Sequence, residues 1–316
     1  MPLQLVATLG PASLHLAPAI VAAGASALRL NASHMSPAAL GAAIATVRAQ
    51  APDTTVIVDL QGAKMRLGTF QDWTVVPGDV LDFTCDQPPA GSIPIPHPEL
   101  FRCVGQGDTL SIDDDRVRVR VVDAARTTLR AEVTLGGVLR PRKGVNVVEH
   151  PVALDDLTHA DQEHVRVAIS SPPIAFAISF MADGHEASWV RDRAPLCPVI
   201  GKIERQEAIA QLGSIQRIVD TVWICRGDLG AQLGPAALAR WLAQFRPAAC
   251  PPTLLAGQVL EHLTAHAAPT RSEVCHLFDV IQRGYAGIVL SDETAIGTDP
   301  VRAVRSAAEL LLAFGA

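Results

Sequence analysis

The chain has 316 residues, of which 49% are hydrophobic and 18% are charged, and its formal net charge is −6. The sequence contains no stretch of eighteen uninterrupted apolar residues, which excludes a transmembrane span. Its composition and net charge exclude a disordered chain and an obvious nucleic-acid binder. At this length, one or two domains with a full hydrophobic core are expected.

The cysteines and the N-terminus bear on the cellular compartment. The six cysteines are scattered without a Cys-x-x-Cys pair, and the segment MPLQLVATLG has neither a charged n-region nor a cleavage site. We therefore expect a cytoplasmic protein with reduced thiols, no zinc, and no membrane or nucleic-acid partner.

Short apolar runs typical of buried strands recur along the chain, and Ala- and Leu-rich segments of helical period separate most of them. The predicted strands are 4–9, 27–31, 56–60, 175–180, 199–204, 221–226, 253–258 and 287–292. The predicted helices are 14–23, 37–49, 185–192, 235–245, 258–266, 273–283 and 300–314. This alternation predicts an α/β protein with a (β/α)8 TIM barrel. A doubly wound open sheet is the alternative, but no G-x-G-x-x-G motif supports it.

A long connection separates the third predicted strand from the fourth. Its segments 111–121 and 127–135 alternate polar and apolar residues with a period of two, which is typical of strands. We therefore predict a small inserted β-domain at 69–148, leaving 1–68 and 149–316 for the barrel. An insertion after a barrel strand lies at the face where barrel active sites are built, so it is a candidate lid; a decorative insertion is the alternative.

Lysine is rare in this chain. Of the 26 basic residues only three are lysines, Lys64, Lys143 and Lys202. This bias suggests positions that need a compact, titratable ammonium in place of a planar guanidinium. Codon bias with three accidental lysines is the alternative interpretation.

Residues at the carboxyl ends of barrel strands face the end of the barrel where enzymes build their sites. These positions hold Thr8, Arg29, Asn31, Ser33, Asp59, Ser179, Lys202, Glu204, Arg226, Asp228, Gly257, Asp292, Glu293 and Thr294. Glu204 and Asp228, on adjacent strands, can share a hard divalent cation, most simply magnesium. Lys202 projects from the same side of its strand as Glu204 and so lies beside that metal. Arg29 adds a planar fork suited to phosphate or carboxylate.

Nine stretches of the chain resemble the motifs of pyruvate kinases, in the order in which that family carries them. They are 7–13 ATLGPAS, 27–34 ALRLNASH, 58–68 VDLQGAKMRLG, 143–147 KGVNV, 200–204 IGKIE, 226–230 RGDLG, 257–263 GQVLEHL, 269–273 PTRSE and 290–300 LSDETAIGTDP. The resemblance implies a barrel interrupted after its third strand by a β-barrel lid. It also implies transfer of a phosphoryl group between phosphoenolpyruvate and a nucleoside diphosphate such as ADP, with pyruvate and ATP as products.

The resemblance assigns roles to individual residues. Lys202 matches the lysine that stabilises the transferring phosphoryl group and the enolate oxygen, and Arg29 matches the residue that grips the phosphate. Glu204 and Asp228 match the ligands of Mg²⁺ or Mn²⁺. The remaining implied contacts are Asn31, His34, Arg66 and Lys143 to the nucleotide, and Gly227, Asp228 and Gly257 to the substrate.

Lys64 bears on the monovalent cation. Many family members need bound potassium and carry Glu at the position that matches Lys64. The Leu-Gln-x-x-Lys pattern ending at Lys64 resembles the potassium-independent branch, in which an ammonium takes the place of the ion. We therefore expect no potassium requirement, although Asn31, Ser33 and Asp59 still match potassium-ligand positions.

The sequence departs from the family pattern in three places. Gly257 stands where the family has an active-site threonine, and loss of that hydroxyl should slow ketonisation or enlarge the pocket. Ala182 stands where the family has the arginine of a Ser-Phe-Val-Arg pattern. The sequence ends at Ala316, before the family's C-terminal domain, so we expect no activation by sugar phosphates; a homodimer is left open.

These departures leave two other functions open. One is metal-dependent enolate chemistry, like that of an aldolase or a lyase, on a substrate of the pyruvate type. The other is non-catalytic binding of phosphoenolpyruvate or nucleotide. The residues retained for the nucleotide side favour phosphoryl transfer over both, because an aldolase would not need them.

Overall fold

The structure, a computed structural model, describes residues 2–85, 91–113, 115–150, 152–247 and 251–315. Contacts divide the chain into two compact units. The first, the barrel unit, comprises Met1–Gly62 and Leu157–Ala316, and the second, the insert, comprises Ala63–Asp156. The predicted insertion, 69–148, lies within the second unit.

Strands occur in both units and are numbered along the chain. They are β1 Gln4–Leu9, β2 Ala27–Asn31, β3 Thr55–Leu60, β4 Trp73–Val75, β5 Val80–Thr84, β6 Ile93–Pro94, β7 Thr109–Ile112, β8 Val117–Ala124, β9 Thr128–Leu135, β10 Gly137–Leu139, β11 Val145–Val147, β12 Ile174–Ile178, β13 Val199–Ile203, β14 Thr221–Cys225, β15 Thr253–Ala256 and β16 Gly287–Leu290.

Eight of these strands close into a parallel barrel in the order β1, β2, β3, β12, β13, β14, β15 and β16, so the predicted TIM barrel is confirmed. The ring closes where β1 pairs with β16 and Gln4 lies opposite Gly287. A Cβ at Gly287 would lie 2.0 Å from the carbonyl oxygen of Gln4, so this close approach requires glycine. The predicted strand 175–180 ends at Ile178, because Phe180 adopts a φ of 59° that no strand accommodates.

Helices follow most barrel strands. Numbered along the chain, the helices are α1 Ala17–Ala22, α2 Pro37–Gln50, α3 Pro98–Cys103, α4 His159–Ala168, α5 Glu186–Arg191, α6 Gln206–Ala210, α7 Leu212–Ile215, α8 Arg226–Leu233, α9 Pro235–Gln244, α10 Arg271–Gln282, α11 Asp292–Ala295 and α12 Pro300–Phe314; of these, α3 lies in the insert. None of the helices in the described part of the chain is long and apolar enough to cross a membrane.

Three helix predictions differ from the structure at their N-terminal ends. The segment 14–23 begins as a 3₁₀ turn, Leu14–Leu16, and becomes α-helical at Ala17. The predicted helix 258–266 is wrong, since only a 3₁₀ turn forms at Glu261–Thr264. Gly257 and Gln258 have φ values of 83° and 53°, which are incompatible with the first turn of an α-helix. The helix predicted at 273–283 begins earlier, at Arg271, because Thr270 and Glu273 form a capping box.

The alternation of side chains along the barrel strands separates an apolar layer from a polar one. The buried cluster inside the barrel includes Val6, Ile57, Ile200, Trp223 and Leu254. Two residues further along three of these strands the side chains are polar: Thr8, Asp59 and Lys202. Because residues two apart share a face, the apolar layer forms a floor and the polar layer lies above it at the carboxyl ends of the strands.

The insert is a β-domain. Its strands form a six-stranded sheet in the order β11, β7, β8, β9, β5 and β6, together with a two-stranded sheet of β4 and β10. Along β8, buried residues alternate with exposed ones from Val117 to Val122. This is the period of two that the sequence showed, and it results from one face of the sheet packing inward.

His97 of the insert predicts a loss of stability in acid. Its side chain is 4% exposed, and Nε2 accepts a hydrogen bond from the backbone N–H of Arg66 at 3.0 Å. Burial, helped by the charge of Arg66, lowers the pKa of His97 to about 4. Because the folded-state pKa lies below the unfolded one, stability is full above about pH 6.5 and falls, by about 3 kcal/mol in all, as the pH approaches 4.

The free energy of unfolding, measured by urea denaturation of the chain at pH 7 and pH 4.5, tests this effect. The variant His97→Gln retains an acceptor for the Arg66 N–H but does not titrate, so its loss of stability over this range should be smaller by about 2–3 kcal/mol. Equal losses in the two proteins would contradict the prediction.

Candidate active site

Lys202 is the centre of a buried charge cluster at the carboxyl end of the barrel. The residue is 7% exposed, and its ammonium lies 3.1 Å from each carboxylate oxygen of Asp59. It also lies 3.0 Å from Glu204 Oε1 and donates to Ser179 Oγ at 2.8 Å. Burial alone would lower the pKa of Lys202, but the charges of Asp59 and Glu204 outweigh it and raise the pKa above its usual value. The ammonium therefore stays charged.

Asp59 joins Lys202 to Arg29. Arg29 Nε donates to Asp59 Oδ2 at 2.8 Å, a terminal guanidinium nitrogen contacts the same oxygen, and Nη1 donates to Thr8 Oγ1 at 2.9 Å. The pKa of Asp59 is lowered, because its two cationic neighbours outweigh burial, and burial of Arg29 is likewise outweighed by Asp59, so its pKa is raised. These neighbours keep the Asp59 carboxylate ionised although it is only 1% exposed.

Glu204 is oriented by the backbone as well as by Lys202. Its Oε2 accepts the N–H of Phe180 at 2.9 Å, while Oε1 faces Lys202. A carboxylate oxygen accepts more than one bond, so both oxygens keep capacity for a hard cation. Asp228, half-buried in the first turn of α8, supplies a second carboxylate. Glu204 directly follows β13, and Asp228 lies in the helix that follows the neighbouring strand β14; oxygen donors of this kind are chemically suited to magnesium or manganese.

A buried ion pair anchors the loop that carries Phe180. Glu186 is fully buried; its oxygens accept the N–H groups of Ala182 and Gly184, and Arg205 lies 3.6 Å away. Arg205 Nε also donates to Met181 O at 3.3 Å. The guanidinium of Arg205, from the end of β13, thus serves the loop in which Ala182 replaces the family's arginine. Phe180 has a positive φ, which is unfavourable for a residue other than glycine, so this loop conformation needs the support of such contacts.

Among the described residues, one cluster of three side chains has the residue types and the spacing to hold a metal ion, and it lies in this loop. The ligand atoms of Asp183, His185 and Glu186 lie within 4.8 Å of one another. Both oxygens of Glu186 already accept backbone hydrogen bonds, and His185 Nδ1 lies 2.6 Å from Asp183 Oδ1. These contacts account for the cluster without a metal.

The predicted substrate residues Gly227 and Gly257 lie side by side. A Cβ at Gly257 would lie 3.4 Å from Gly227 N and 3.5 Å from Arg226 N, which is ordinary contact distance. The space beside the first turn of α8 would therefore admit a small side chain. The φ of Gly257 is 83°, however, and a β-branched residue such as threonine rarely adopts it. Backbone conformation, more than space, separates this position from the family's threonine.

The predicted monovalent-cation residues of the barrel unit occupy neighbouring strand ends. Asn31, at the end of β2, accepts a hydrogen bond from Ser33 N at 3.3 Å, and Asn31 lies opposite Asp59 in the ladder of β2 and β3. His34, a predicted nucleotide contact, is exposed at the end of the 3₁₀ turn Ala32–His34, which follows β2. Both oxygens of Asp59 face Lys202, and one of them faces Arg29.

The other predicted residues, Lys64, Arg66 and Lys143, lie together in the insert. Arg66 pairs with Gly144, and Leu67 N donates to Lys143 O at 2.8 Å. Lys143 Nζ lies 2.9 Å from Asp113 Oδ1, and a Cβ at Gly144 would lie 3.2 Å from Lys64 Cε. Two paired segments thus present the predicted cations of this unit next to one another.

Three groups in the site carry no role in the motif resemblance. Thr8 and Ser179 appeared only as strand-end residues, yet they bind Arg29 and Lys202 directly. The backbone N–H of Phe180 carries no sequence signal, because its aim toward Glu204 depends on a loop conformation. Strand-end position was the signal that could have identified the first two.

Comparison with known proteins agrees with the fold and the motifs. The protein-family model described as "Pyruvate kinase, barrel domain" matches residues 2–304. Two proteins named "Pyruvate kinase" from Agrobacterium vitis are 32% and 33% identical, each over 95% of this chain and over 67% and 66% of their own lengths. A protein named "Pyruvate kinase II" from Salmonella typhimurium is 29% identical over 98% of this chain and 69% of its own length. The chain spans about two thirds of the length of these curated relatives.

Proposed function

This chain belongs to the pyruvate kinase family, and on that premise we propose that it transfers a phosphoryl group between phosphoenolpyruvate, or a close analogue, and ADP or another nucleoside diphosphate. The buried cluster of Arg29, Asp59, Lys202 and Glu204 at the carboxyl end of the barrel is the observation that carries this proposal. Phosphoryl transfer depends on positioning and on neutralising negative charge, and two fixed cations beside a carboxylate site supply both.

Arg29 and Lys202 differ in what they offer an anion. Arg29 uses three of its five N–H groups on Asp59 and Thr8, which leaves donors for the oxygens of a phosphate. Lys202 is fully engaged with Asp59, Ser179 and Glu204. An enolate or phosphoryl oxygen must therefore compete for the ammonium, and the contact with Glu204 is the one that weakens when this carboxylate takes a cation.

Glu204 and Asp228 would hold Mg²⁺ or Mn²⁺. When bound there, the metal would neutralise phosphate charge and act as a Lewis acid. The N–H groups of Gly227 and Asp228 lie at the start of the eight-residue helix α8, where the helix favours an anion such as the substrate carboxylate. On the nucleotide side, we propose contacts from Asn31, His34, Arg66 and Lys143.

A coupled assay with the purified chain tests this function. The reaction contains phosphoenolpyruvate, magnesium and one of several nucleoside diphosphates, and it is repeated with manganese and with a chelator. We expect metal-dependent formation of pyruvate and the nucleoside triphosphate. Metal-dependent binding of phosphoenolpyruvate without turnover by any nucleotide would instead favour enolate chemistry or a binding role, for which Gly257 offers room where the family has a threonine.

Potassium should not be required. We propose that the ammonium of Lys64 takes the place of the ion, so rates in potassium chloride and in tetramethylammonium chloride at equal ionic strength should agree within about twofold. The variant Lys64→Glu, which restores the acidic residue of the potassium-dependent pattern, should fall in activity and regain part of it with potassium. Rates that rise many-fold in the unmodified chain when potassium replaces tetramethylammonium would contradict this.

A cytoplasmic location also remains part of the proposal, and a homodimer is left open. The cysteines that the structure describes, Cys85, Cys103, Cys197, Cys225 and Cys275, are free thiols.

A further inference from the structure

Arg226 joins two turns at the rim of the barrel. It is the first residue of α8, and its guanidinium reaches the loop after β15. Nε and Nη2 donate to the carbonyl oxygen of Gly257 at 2.9 and 2.7 Å, and Nη2 also contacts the carbonyl oxygen of Gln258. One side chain therefore fixes the first turn of α8 against the residue that stands in place of the family's threonine.

The loop after β15 needs this support. Gly257 and Gln258 both have positive φ, and for Gln258, at 53°, that conformation is unfavourable. Arg226 donates hydrogen bonds to the carbonyl oxygens of both residues. Two residues later, Leu260 N donates to Glu293 Oε1 at 3.2 Å. The loop is thus held by side chains on both sides.

His276 of α10 in turn holds Arg226. Its Nε2 lies 2.9 Å from Arg226 Nη1, and a guanidinium is always a donor, so Nε2 must be the unprotonated nitrogen of a neutral ring. Protonation would place a second cation against the guanidinium and remove the acceptor. His276 also faces Arg283 and Asp279, and Arg226 faces Tyr285, Glu293 and Glu261. Burial, together with Arg226 and Arg283, lowers the pKa of His276, which agrees with a neutral ring near pH 7.

We propose that Arg226, held by neutral His276, is a positioning residue for the pocket formed by Gly257 and the start of α8. Because Gly227 and Asp228 are the groups that we assign to the substrate carboxylate, the inference rests on the proposed function. Loss of the acceptor at His276 weakens binding of phosphoenolpyruvate while leaving the nucleotide contacts unchanged. The same loss occurs reversibly in the unmodified chain as the pH falls.

Two substitutions at His276 distinguish the role of the ring as a hydrogen-bond acceptor from the effect of its protonation. His276 is half-buried on α10, so both variants should fold. Gln supplies an oxygen acceptor that does not titrate, whereas Leu supplies none. The control is His159→Gln, an exposed histidine on α4.

Kinetics from pH 5.5 to pH 8 provide the first measurement. For His276→Leu we expect a KM for phosphoenolpyruvate about tenfold above that of the unmodified chain at pH 8, a difference that narrows toward acid pH, a smaller change in kcat and an unchanged KM for the nucleotide. In the unmodified chain and in the control, this KM should rise toward acid pH more steeply than in His276→Gln. The ionisation of the substrate is common to all four proteins and cancels in this comparison. Identical pH profiles in all four would overturn the inference.

Hydrogen–deuterium exchange of the segment 256–261, compared between proteins at equal pH, provides a second measurement that needs no turnover. Exchange should be faster in His276→Leu than in the unmodified chain and unchanged in His276→Gln. If the unmodified chain shows no phosphoryl transfer, the proposed function fails while this readout still tests the contact. Equal exchange in all variants would overturn the positioning role even in an active enzyme.

Discussion

Replacing Lys202 by methionine is expected to lower kcat/KM for phosphoryl transfer by at least about a thousandfold. Methionine has nearly the same length and shape as lysine, but it brings no charge to the phosphoryl and enolate oxygens of the proposed reaction. It also leaves Glu204 without its cationic partner and Ser179 without a donor. The measurement is the coupled assay with magnesium, together with a thermal unfolding midpoint.

The variant Lys202→Arg is the matched control for charge. It retains a cation, but a planar guanidinium cannot reproduce the compact contacts with Asp59, Ser179 and Glu204, so most of the activity should still be lost. Metal-dependent binding of phosphoenolpyruvate in a folded but inactive Lys202→Met protein would separate loss of chemistry from loss of structure. Near-normal turnover in that variant would contradict the role assigned to Lys202.

Replacing Asp59 by asparagine should destabilise the barrel by about 3–5 kcal/mol, because it leaves Arg29 and Lys202 buried beside each other without the anion between them. The contribution of Asp59 to the free energy of unfolding also depends on pH. The folded-state pKa of Asp59 is lowered, so its stabilisation is full above the unfolded pKa and is lost as the pH falls through the folded value. The variant has no carboxylate at this position, so it does not lose this stabilisation as the pH falls. Urea unfolding between pH 7 and pH 3 measures both effects.

Asp220→Asn is the control for this prediction. Asp220 also pairs with an arginine, at 3.1 Å from Arg191, but its side chain is 48% exposed, so its loss should cost less than about 1 kcal/mol. If Asp59→Asn lowers the free energy of unfolding no more than Asp220→Asn does, the buried ion pairs of Asp59 contribute little to stability. Activity of Asp59→Asn should also fall sharply, since Arg29 and Lys202, the two cations that we propose for catalysis, lose their common partner.

Much of the fold could be predicted from the sequence because the barrel strands are local patterns. Each is a short apolar run whose neighbours in space follow from the alternation with helices, and the family motifs add their order. The predictions failed where backbone conformation overrides composition. Phe180 continues an apolar run but ends the strand with a positive φ, and Gly257 and Gln258 replace a predicted helix with a turn.

The candidate site was only partly accessible to the same reasoning. Spacing along β13 predicts that Lys202 and Glu204 share a face, and they do, at 3.0 Å. The pairing of Lys202 with Asp59 spans 143 positions, and nothing in the sequence states that one carboxylate serves two cations. The motif resemblance assigns Asp59 to the monovalent-cation region, and the structure shows that Arg29 and Lys202 both bind it.

The sequence by itself determined the barrel, the position of the inserted β-domain along the chain and the set of charged residues at the strand ends, because these depend on periodicity and on motifs of adjacent residues. Only the tertiary structure decided how those charges are paired, which backbone N–H orients Glu204 and which side chain holds the loop at Gly257. Such contacts join residues far apart in the chain, and their energies depend on burial and distance, which exist only once the barrel has closed.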